Sequence, residues 1–277
     1  MTLRSTCGIV LRVVDYGEAD KLVTLYCPDL GRMTGIAKGA KKSRQRFVNK
    51  LEEFTLLRFF YRPPRGPVGL ALISEAELLA AHLSLRIDFR LYVAAMYLSE
   101  LTLRFTRDHD PDQRLYNLLK WAFVALDQGK TPPQIITLFH LHLLETVGYR
   151  PELNHCAACH QPVQAQRGYV FMPGSGSLLC DTCSLGKTSH ALRLSVQTIR
   201  LLASAQSFEL DRLHRLRFPP RALVEAMTAL HHFSLHLLQQ DLHSWRLLRP
   251  LMIGLAQLQN APDSEMPEAK ERTGRNS

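Results

Sequence analysis

Four cysteines in two close pairs are the side chains of this sequence best suited to hold a metal ion. Two residues separate the members of each pair, and twenty residues separate the pairs. This spacing lets both thiolates of a pair face one ion, and four thiolates complete a tetrahedron that has no open position. We therefore expect one structural Zn²⁺ per chain and no catalytic metal here. His155 and His160 flank the first pair and could replace a ligand, but four cysteines suffice. The four expected ligands are Cys156, Cys159, Cys180 and Cys183.

A second concentration of functional groups is the basic segment, which we define as residues 38–50. Six of its thirteen residues are basic and none is acidic. Cations crowded on one segment suit a phosphate backbone, because each neutralised phosphate releases a counterion. We expect this segment to contact DNA or RNA; the alternative is a solvated loop whose charges bind nothing specific. Phe47 could stack on a base, although packing against the neighbouring strands is the simpler expectation. The six expected contacts are Lys38, Lys41, Lys42, Arg44, Arg46 and Lys50.

A further basic run follows the cysteines, among the apolar residues Leu213, Leu216 and Phe218. It is either a plain helix surface or an apolar notch with cations, which would suit the acidic tail of a partner protein. The candidate partner-binding residues are Arg212, Arg215, Arg217 and Arg221.

Neither the histidines nor any catalytic motif predicts a second metal site or an active site. His232 and His236 stand four residues apart, as a metal-binding pair on one helix face would, but no H-E-x-x-H motif surrounds them. No G-x-S-x-G motif and no phosphate-binding P-loop motif occurs. We therefore interpret the histidines of this region as solvated or core-edge residues, and we expect no enzymatic activity.

The hydropathy pattern divides the chain into a β part and a helical part, so we predict a two-domain α+β protein. Residues 1–80 alternate apolar and polar side chains between turn residues, which favours a small closed barrel. An OB-fold is the simplest five-stranded candidate. The predicted strands are 8–14, 21–26, 32–38, 54–61 and 68–76.

Residues 81–260 are expected to form a mostly helical domain with an irregular zinc-binding insertion at about 150–190. Apolar residues recur there at three- and four-residue spacing. Thr131 before Pro132 is a typical helix start. Residues 261–277 lack periodicity and are predicted to be a disordered tail. The predicted helices are 85–107, 110–127, 131–148, 195–205 and 220–246.

The overall composition limits the function classes. The chain has 277 residues, 46% of them hydrophobic, with a net charge of +9. Residues 1–65 carry 13 Lys/Arg against 6 Asp/Glu, a net of +7, so most of the excess lies in the predicted barrel. This favours a polyanionic partner. No apolar run is long enough to span a membrane, and the N-terminus lacks a signal-peptide pattern, so we expect a cytoplasmic protein without a membrane partner.

Four short runs of the sequence carry a resemblance to known proteins, and they are GIVL at 8–11, DYGEADKLVTL at 15–25, KGA at 38–40 and LLETVGYRPEL at 143–153. In this order and spacing, these runs resemble the bacterial RecO family of DNA repair proteins. The resemblance implies an N-terminal OB-fold and a helical domain with a four-cysteine zinc module. It also implies a mediator of the RecF recombination pathway that binds single- and double-stranded DNA and anneals complementary strands. Its implied protein partners are the single-stranded-DNA-binding protein and RecR.

Two other classes stay open from the residues alone. A structural RNA-binding or ribosome-associated protein could combine the same barrel and zinc module, and it would prefer RNA over single-stranded DNA in competition. A metal-dependent enzyme that uses the histidines would need a second metal equivalent and turnover of a nucleic acid.

Overall fold

The computed structural model describes residues 2–64, 66, 69–186 and 190–257. Its N-terminal part is a closed five-stranded barrel in the order β1-β2-β3-β5-β4, with β4 returning to β1. All neighbouring strands are antiparallel except β3 and β5, which are parallel. This confirms the expected OB-fold. The strands are Arg4–Tyr16 (β1), Asp20–Cys27 (β2), Gly31–Ala37 (β3), Leu56–Arg62 (β4) and Ala71–Ala80 (β5).

Alternating burial along the strands fills the barrel. In β3 every second residue is buried, from Gly31 to Ala37. Apolar side chains of β2 and β4 also point into the barrel, and Val23, Leu25 and Phe59 are fully buried there. The predicted fifth strand began too early, and residues 67 and 68 lie outside the described residues.

Most of the rest of the described chain is a helical body. Asp88 and Asp112 accept backbone N–H bonds at the starts of α2 and α3, which fixes where these helices begin. The predicted tail at 261–277 lies outside the described residues. The helices are Ser84–Ile87 (α1), Phe89–Phe105 (α2), Gln113–Asp127 (α3), Pro132–Thr146 (α4), Asp181–Ser184 (α5), Val196–Ser207 (α6), Pro220–Leu238 (α7) and His243–Gln257 (α8).

Two predicted helices are divided. An extended Asp88 separates α1 from α2 within the predicted helix 85–107. The predicted helix 220–246 ends at Gln239, which has a left-handed backbone with φ 51°. Glu100 of α2 then accepts the backbone N–H groups of His243 and Ser244 and starts α8. The single-helix prediction was wrong there, because this cap comes from a residue far away in the sequence.

The segment that carries the cysteines is a small sheet, not the irregular insertion predicted. Strands Glu152–Cys156 (β6), Tyr169–Met172 (β7), Ser177–Cys180 (β8) and Leu192–Leu194 (β9) pair in the order β6-β8-β7-β9. All four strands are only three to five residues long, and β7 and β8 are almost entirely buried, so the segment shows no clear alternation. The sheet packs on the helical core, where the Phe171 and Phe233 rings lie 6.0 Å apart.

The barrel is fastened to the helical body at the start of β3. Arg32 pairs with Asp108 at 2.6 Å and also donates to the Leu103 carbonyl. Gly31 has φ +65°, and a Cβ there would lie 2.4 Å from the backbone of Asp110. Glycine is therefore required at this close approach. Within the described part of the chain, no helix combines the length and the apolar content that a bilayer crossing demands.

Candidate nucleic-acid interface and metal centre

The basic segment crosses from β3 to β4 and is anchored by its apolar residues. Gly39, with φ 69°, turns the chain into a short 3-10 helix at Ala40–Lys42. Ala40 and Phe47 are buried in the barrel core. Phe47 is 3% exposed, which confirms the packing expectation and excludes it as a base-stacking residue. The apolar anchors thus leave the polar side chains of the segment on the outside.

All six predicted cations lie on this one anchored segment. Five of them are exposed and Lys50 is half-buried. Lys41 forms an ion pair with Asp15 at 3.1 Å. Within the described residues, none of the other five has an acidic partner. The five are Lys38, Lys42, Arg44, Arg46 and Lys50.

Two of these cations instead bond to backbone carbonyls. Arg46 donates to the carbonyls of Lys38 and Ser74, at 3.4 and 3.5 Å, and its guanidinium lies 5.2 Å from the Phe47 ring centre. Lys50 Nζ donates to the Gln45 carbonyl at 3.0 Å. Carbonyls hold these side chains in place but do not cancel their charge, so a positive surface remains for an anion.

The four cysteine sulfurs converge between β6, β8 and α5. They all lie within 4.8 Å of one another, and the Sγ atoms of Cys159 and Cys180 are 3.9 Å apart. Sulfurs bound at about 2.3 Å around one tetrahedral ion lie about 3.8 Å apart, so the donor set fits Zn²⁺. His155 and His160 are exposed and do not belong to this group.

The surroundings of the cluster act differently on two of its thiols. Burial of Cys156 opposes ionisation, but backbone N–H groups of Cys159, Cys180 and Ala158 hydrogen-bond to its sulfur and lower its pKa to about 6. The opposite holds for Cys183, where hydrogen bonding among the cysteines, first to Cys180, raises the pKa to about 12. Four thiolates at this spacing repel one another, so full ionisation requires a bound cation.

The second basic run does not form the apolar notch that its sequence suggested. Leu213 and Phe218 are buried in the helical core, and Leu216 is half-buried. The four arginines themselves are exposed, and Arg221 pairs with Glu225 at 3.1 Å.

Arg217 instead lines a groove of about 660 Å³ between α3 and α4. Its apolar wall includes Trp121, Ile135 and Leu138, and Lys130 stands at its edge. We did not predict this groove, because its residues come from separate helices. The one signal of the groove in the sequence is Trp121, on the helix before the predicted helix start at Thr131.

The α7 histidines are structural on one face and solvated on the other. His231 is buried and stacks on Trp245 at 3.8 Å, and burial lowers its pKa to about 3. His232 and His236 are exposed. Among the described residues, the four cysteines are the only set of three or more His, Cys, Asp or Glu side chains close enough to share an ion.

Comparisons with known proteins agree with this architecture. Residues 1–82 match the family model described as recombination protein O N terminal, and residues 86–246 match recombination protein O C terminal. The chain is 36% identical over 243 residues to a DNA repair protein RecO of Anaeromyxobacter sp. (strain K), covering 87% of this chain and 94% of that protein. It is 31% identical over 245 residues to the DNA repair protein RecO of Syntrophus aciditrophicus (strain SB), covering 88% and 94%.

A third relative, from Roseiflexus sp. (strain RS-1), is also a DNA repair protein RecO and is 32% identical over 243 residues. That match covers 88% of this chain and 84% of the relative. The barrel, the cysteine cluster and these matches lead to one conclusion: the chain belongs to the RecO family of DNA repair and recombination proteins.

Proposed function

We propose that this protein is a non-enzymatic mediator that binds single- and double-stranded DNA through its basic segment. In this proposal it anneals complementary strands and helps to load recombinase on coated single strands. One observation carries the proposal. The six cations lie on one anchored crossing of the barrel, and within the described residues only Lys41 is offset by an acid.

Annealing requires no bond chemistry. Two strands repel each other through their phosphates, and cations that neutralise part of this charge let the strands approach while their bases stay free to pair. Binding of this kind releases counterions, so affinity falls with salt by about 0.7–0.9 in log–log slope for each phosphate contacted.

The test is a charge reversal that is matched for net charge. The first variant changes Lys41, Lys42, Arg44 and Arg46 to Glu. The control variant changes four exposed cations of the helical body to Glu, namely Arg107, Lys120, Arg193 and Arg200. Binding of labelled single and double strands is measured by fluorescence anisotropy at about 50 mM salt.

We expect the first variant to lose DNA binding and annealing while its circular dichroism spectrum and melting temperature stay unchanged. The control variant should retain most of its affinity. Equal losses in both variants would mean that net charge, not this segment, governs binding, and retained affinity in the first variant would reject the site. A higher affinity of the unmodified protein for RNA of the same sequence would favour an RNA-binding role instead.

We propose Zn²⁺ as the ion of the cysteine cluster, one per chain. Its ligands would be the four thiolates, and it would cross-link β6 to the β8–α5 corner of the small sheet. A zinc ion closed in by four thiolates supplies stability to the segment, not a reactive water.

We propose the single-stranded-DNA-binding protein and RecR as protein partners. Arg217 lines the groove beside Trp121, and Arg212, Arg215 and Arg221 are exposed residues close to it in the sequence. A cation next to an apolar wall suits an acidic tail with apolar residues. Reversal of the four arginines should weaken pull-down of the single-stranded-DNA-binding protein without changing affinity for naked DNA. An unchanged pull-down would reject this surface.

The division of the chain is also a proposal: a basic DNA-binding domain at 1–80, a helical domain at 81–260 with the zinc insertion at 150–190, and a disordered tail at 261–277. Limited proteolysis should cut first in the tail. We further propose a cytoplasmic location with association to the nucleoid, which imaging of a fluorescent fusion protein would test.

A further inference from the structure

The barrel has one aromatic side chain that is open to a ligand. Of the aromatic residues in the barrel strands and the segment between them, five are buried, and they are Tyr26, Phe47, Phe54, Phe59 and Tyr61. Phe60 is half-buried between its cross-strand neighbours Ser5 and Glu75. Tyr16 is 54% exposed. Burial thus leaves Tyr16 as the aromatic ring that can meet a nucleobase.

Tyr16 ends a row of outward-facing residues on β1. Beyond the irregularity at residues 10–12, side chains two apart share a face of the strand, which places Arg12, Val14 and Tyr16 on the outside together. Val14 is exposed and pairs across the sheet with Leu22, which pairs in turn with Ile36. Tyr16 itself pairs with Asp20, whose Oδ1 accepts the Gly39 backbone N–H of the basic segment. The outer face beside Tyr16 thus combines apolar side chains with one carboxylate that is already hydrogen-bonded, and Arg12 lies at the far end of the row.

The turn that follows Tyr16 is bound to the start of the basic segment. The Lys41 backbone N–H donates to the Ala19 carbonyl at 2.9 Å, and Lys41 Nζ donates to the Gly17 carbonyl at 3.3 Å. The Gly39 backbone N–H donates to Asp20 Oδ1 at 2.8 Å. These bonds hold the exposed ring and the phosphate-binding cations at the same end of the barrel.

We propose that Tyr16 is a base-stacking residue for a single-stranded nucleic acid whose phosphates contact the basic segment. This rests on the proposed function and adds a selectivity to it. Bases of a single strand offer free faces to an aromatic ring, whereas bases of a duplex are already stacked on each other. Tyr16 therefore strengthens binding of single strands and leaves duplex binding to the cations alone.

The test compares Tyr16→Ala and Tyr16→Phe with Tyr149→Ala. Tyr149 lies in the helical body and is 48% exposed, so its replacement removes a similarly exposed ring elsewhere. Three labelled probes of equal length are titrated: a single strand of mixed sequence, an abasic strand with the same phosphates, and a duplex.

We expect Tyr16→Ala to weaken binding of the mixed-sequence strand about fivefold or more, because base–aromatic stacking is lost. Its affinities for the abasic strand and the duplex, and the salt slopes, should be unchanged. Tyr16→Phe keeps the ring and should bind as the unmodified protein does, and so should Tyr149→Ala.

Unchanged binding of the mixed-sequence strand by Tyr16→Ala would overturn the proposal. An equal loss on the abasic strand would overturn it too, since it would show that Tyr16 acts on the backbone or on the fold. Failure of the phosphate site would look different: the four-residue charge reversal would then bind all three probes normally, whatever the result for Tyr16.

Discussion

Neutralising Lys41 and neutralising Lys42 should have different effects on DNA binding, although the two residues are adjacent in the sequence. Lys41 Nζ lies 3.1 Å from Asp15 Oδ2, whereas Lys42 is exposed and has no acidic partner within the described residues. A lysine already paired with a carboxylate releases little additional counterion when it meets a phosphate, so only Lys42 contributes a full charge to the interface.

The magnitude follows from the count of uncompensated cations. Five such cations on the basic segment predict a log–log salt slope of about −3.5 on single strands and about −4.5 on duplex, at about 0.7 and 0.9 for each phosphate. Lys42→Gln should reduce the single-strand slope by about 0.7, and Lys41→Gln should leave it nearly unchanged. Asp15→Asn frees Lys41 and should steepen the slope by up to about 0.7.

The assay is fluorescence anisotropy of a labelled single strand at several salt concentrations, with circular dichroism to confirm that each variant is folded. Equal changes of slope for the two lysine variants would refute the assignment of charges made from the ion pair. A shallower slope for Asp15→Asn would show that this carboxylate supports the interface and does not compete with it.

Three further predictions concern stability and the metal. Gly31→Ala should lower the free energy of unfolding by about 1–3 kcal/mol, because the new methyl group meets the backbone of Asp110 at a positive φ. Gly17→Ala is also at positive φ but has nothing within 4 Å, so it should lower the free energy of unfolding less. Thermal melts of both variants check this order. Cys156→Ser should abolish stoichiometric zinc in elemental analysis and open residues 152–194 to limited proteolysis that leaves them intact in the unmodified protein, and a variant that keeps one tight zinc would contradict the four-ligand site. Because burial lowers the pKa of His231 from 6.5 to about 3, the unfolded state takes up the proton first as the pH falls. The contribution of this group to stability should therefore be full above pH 6.5 and decline towards pH 3, by at most about 1.4 kcal/mol per pH unit. Denaturant titrations should show that His231→Phe flattens this decline.

The parts of the fold that local patterns determine were predictable from the sequence. Alternation of apolar residues located the barrel strands, and the spacing of the cysteine pairs located the four sulfurs that converge in the structure, because in each case the signal lies within a few residues. The burial of Phe47 could also be foreseen, since it is the aromatic residue of an otherwise polar segment beside a barrel.

Contacts between distant residues set the features that the sequence did not reveal. The break before α8 depends on Glu100, more than a hundred residues earlier in the chain. Leu213 and Phe218 are buried because the helical core surrounds them. The 3-10 helix at Leu210–Arg215 is too short to show a periodicity of apolar residues that would predict this burial. The small sheet around the cysteines escaped prediction because its strands are too short and too buried to alternate.

The crossing from β3 to β4 has a consequence for biosynthesis. The two strands flank β5 in the barrel. The crossing that carries the cations therefore passes over the position of β5, which is the last barrel strand in the sequence. The Arg46 carbonyl accepts the backbone N–H of Ala76, a residue of β5. A nascent chain that has emerged from the ribosome only as far as β4 would thus expose the cations as a loose polycation, and the basic segment would become ordered only when β5, which ends at Ala80, has emerged too.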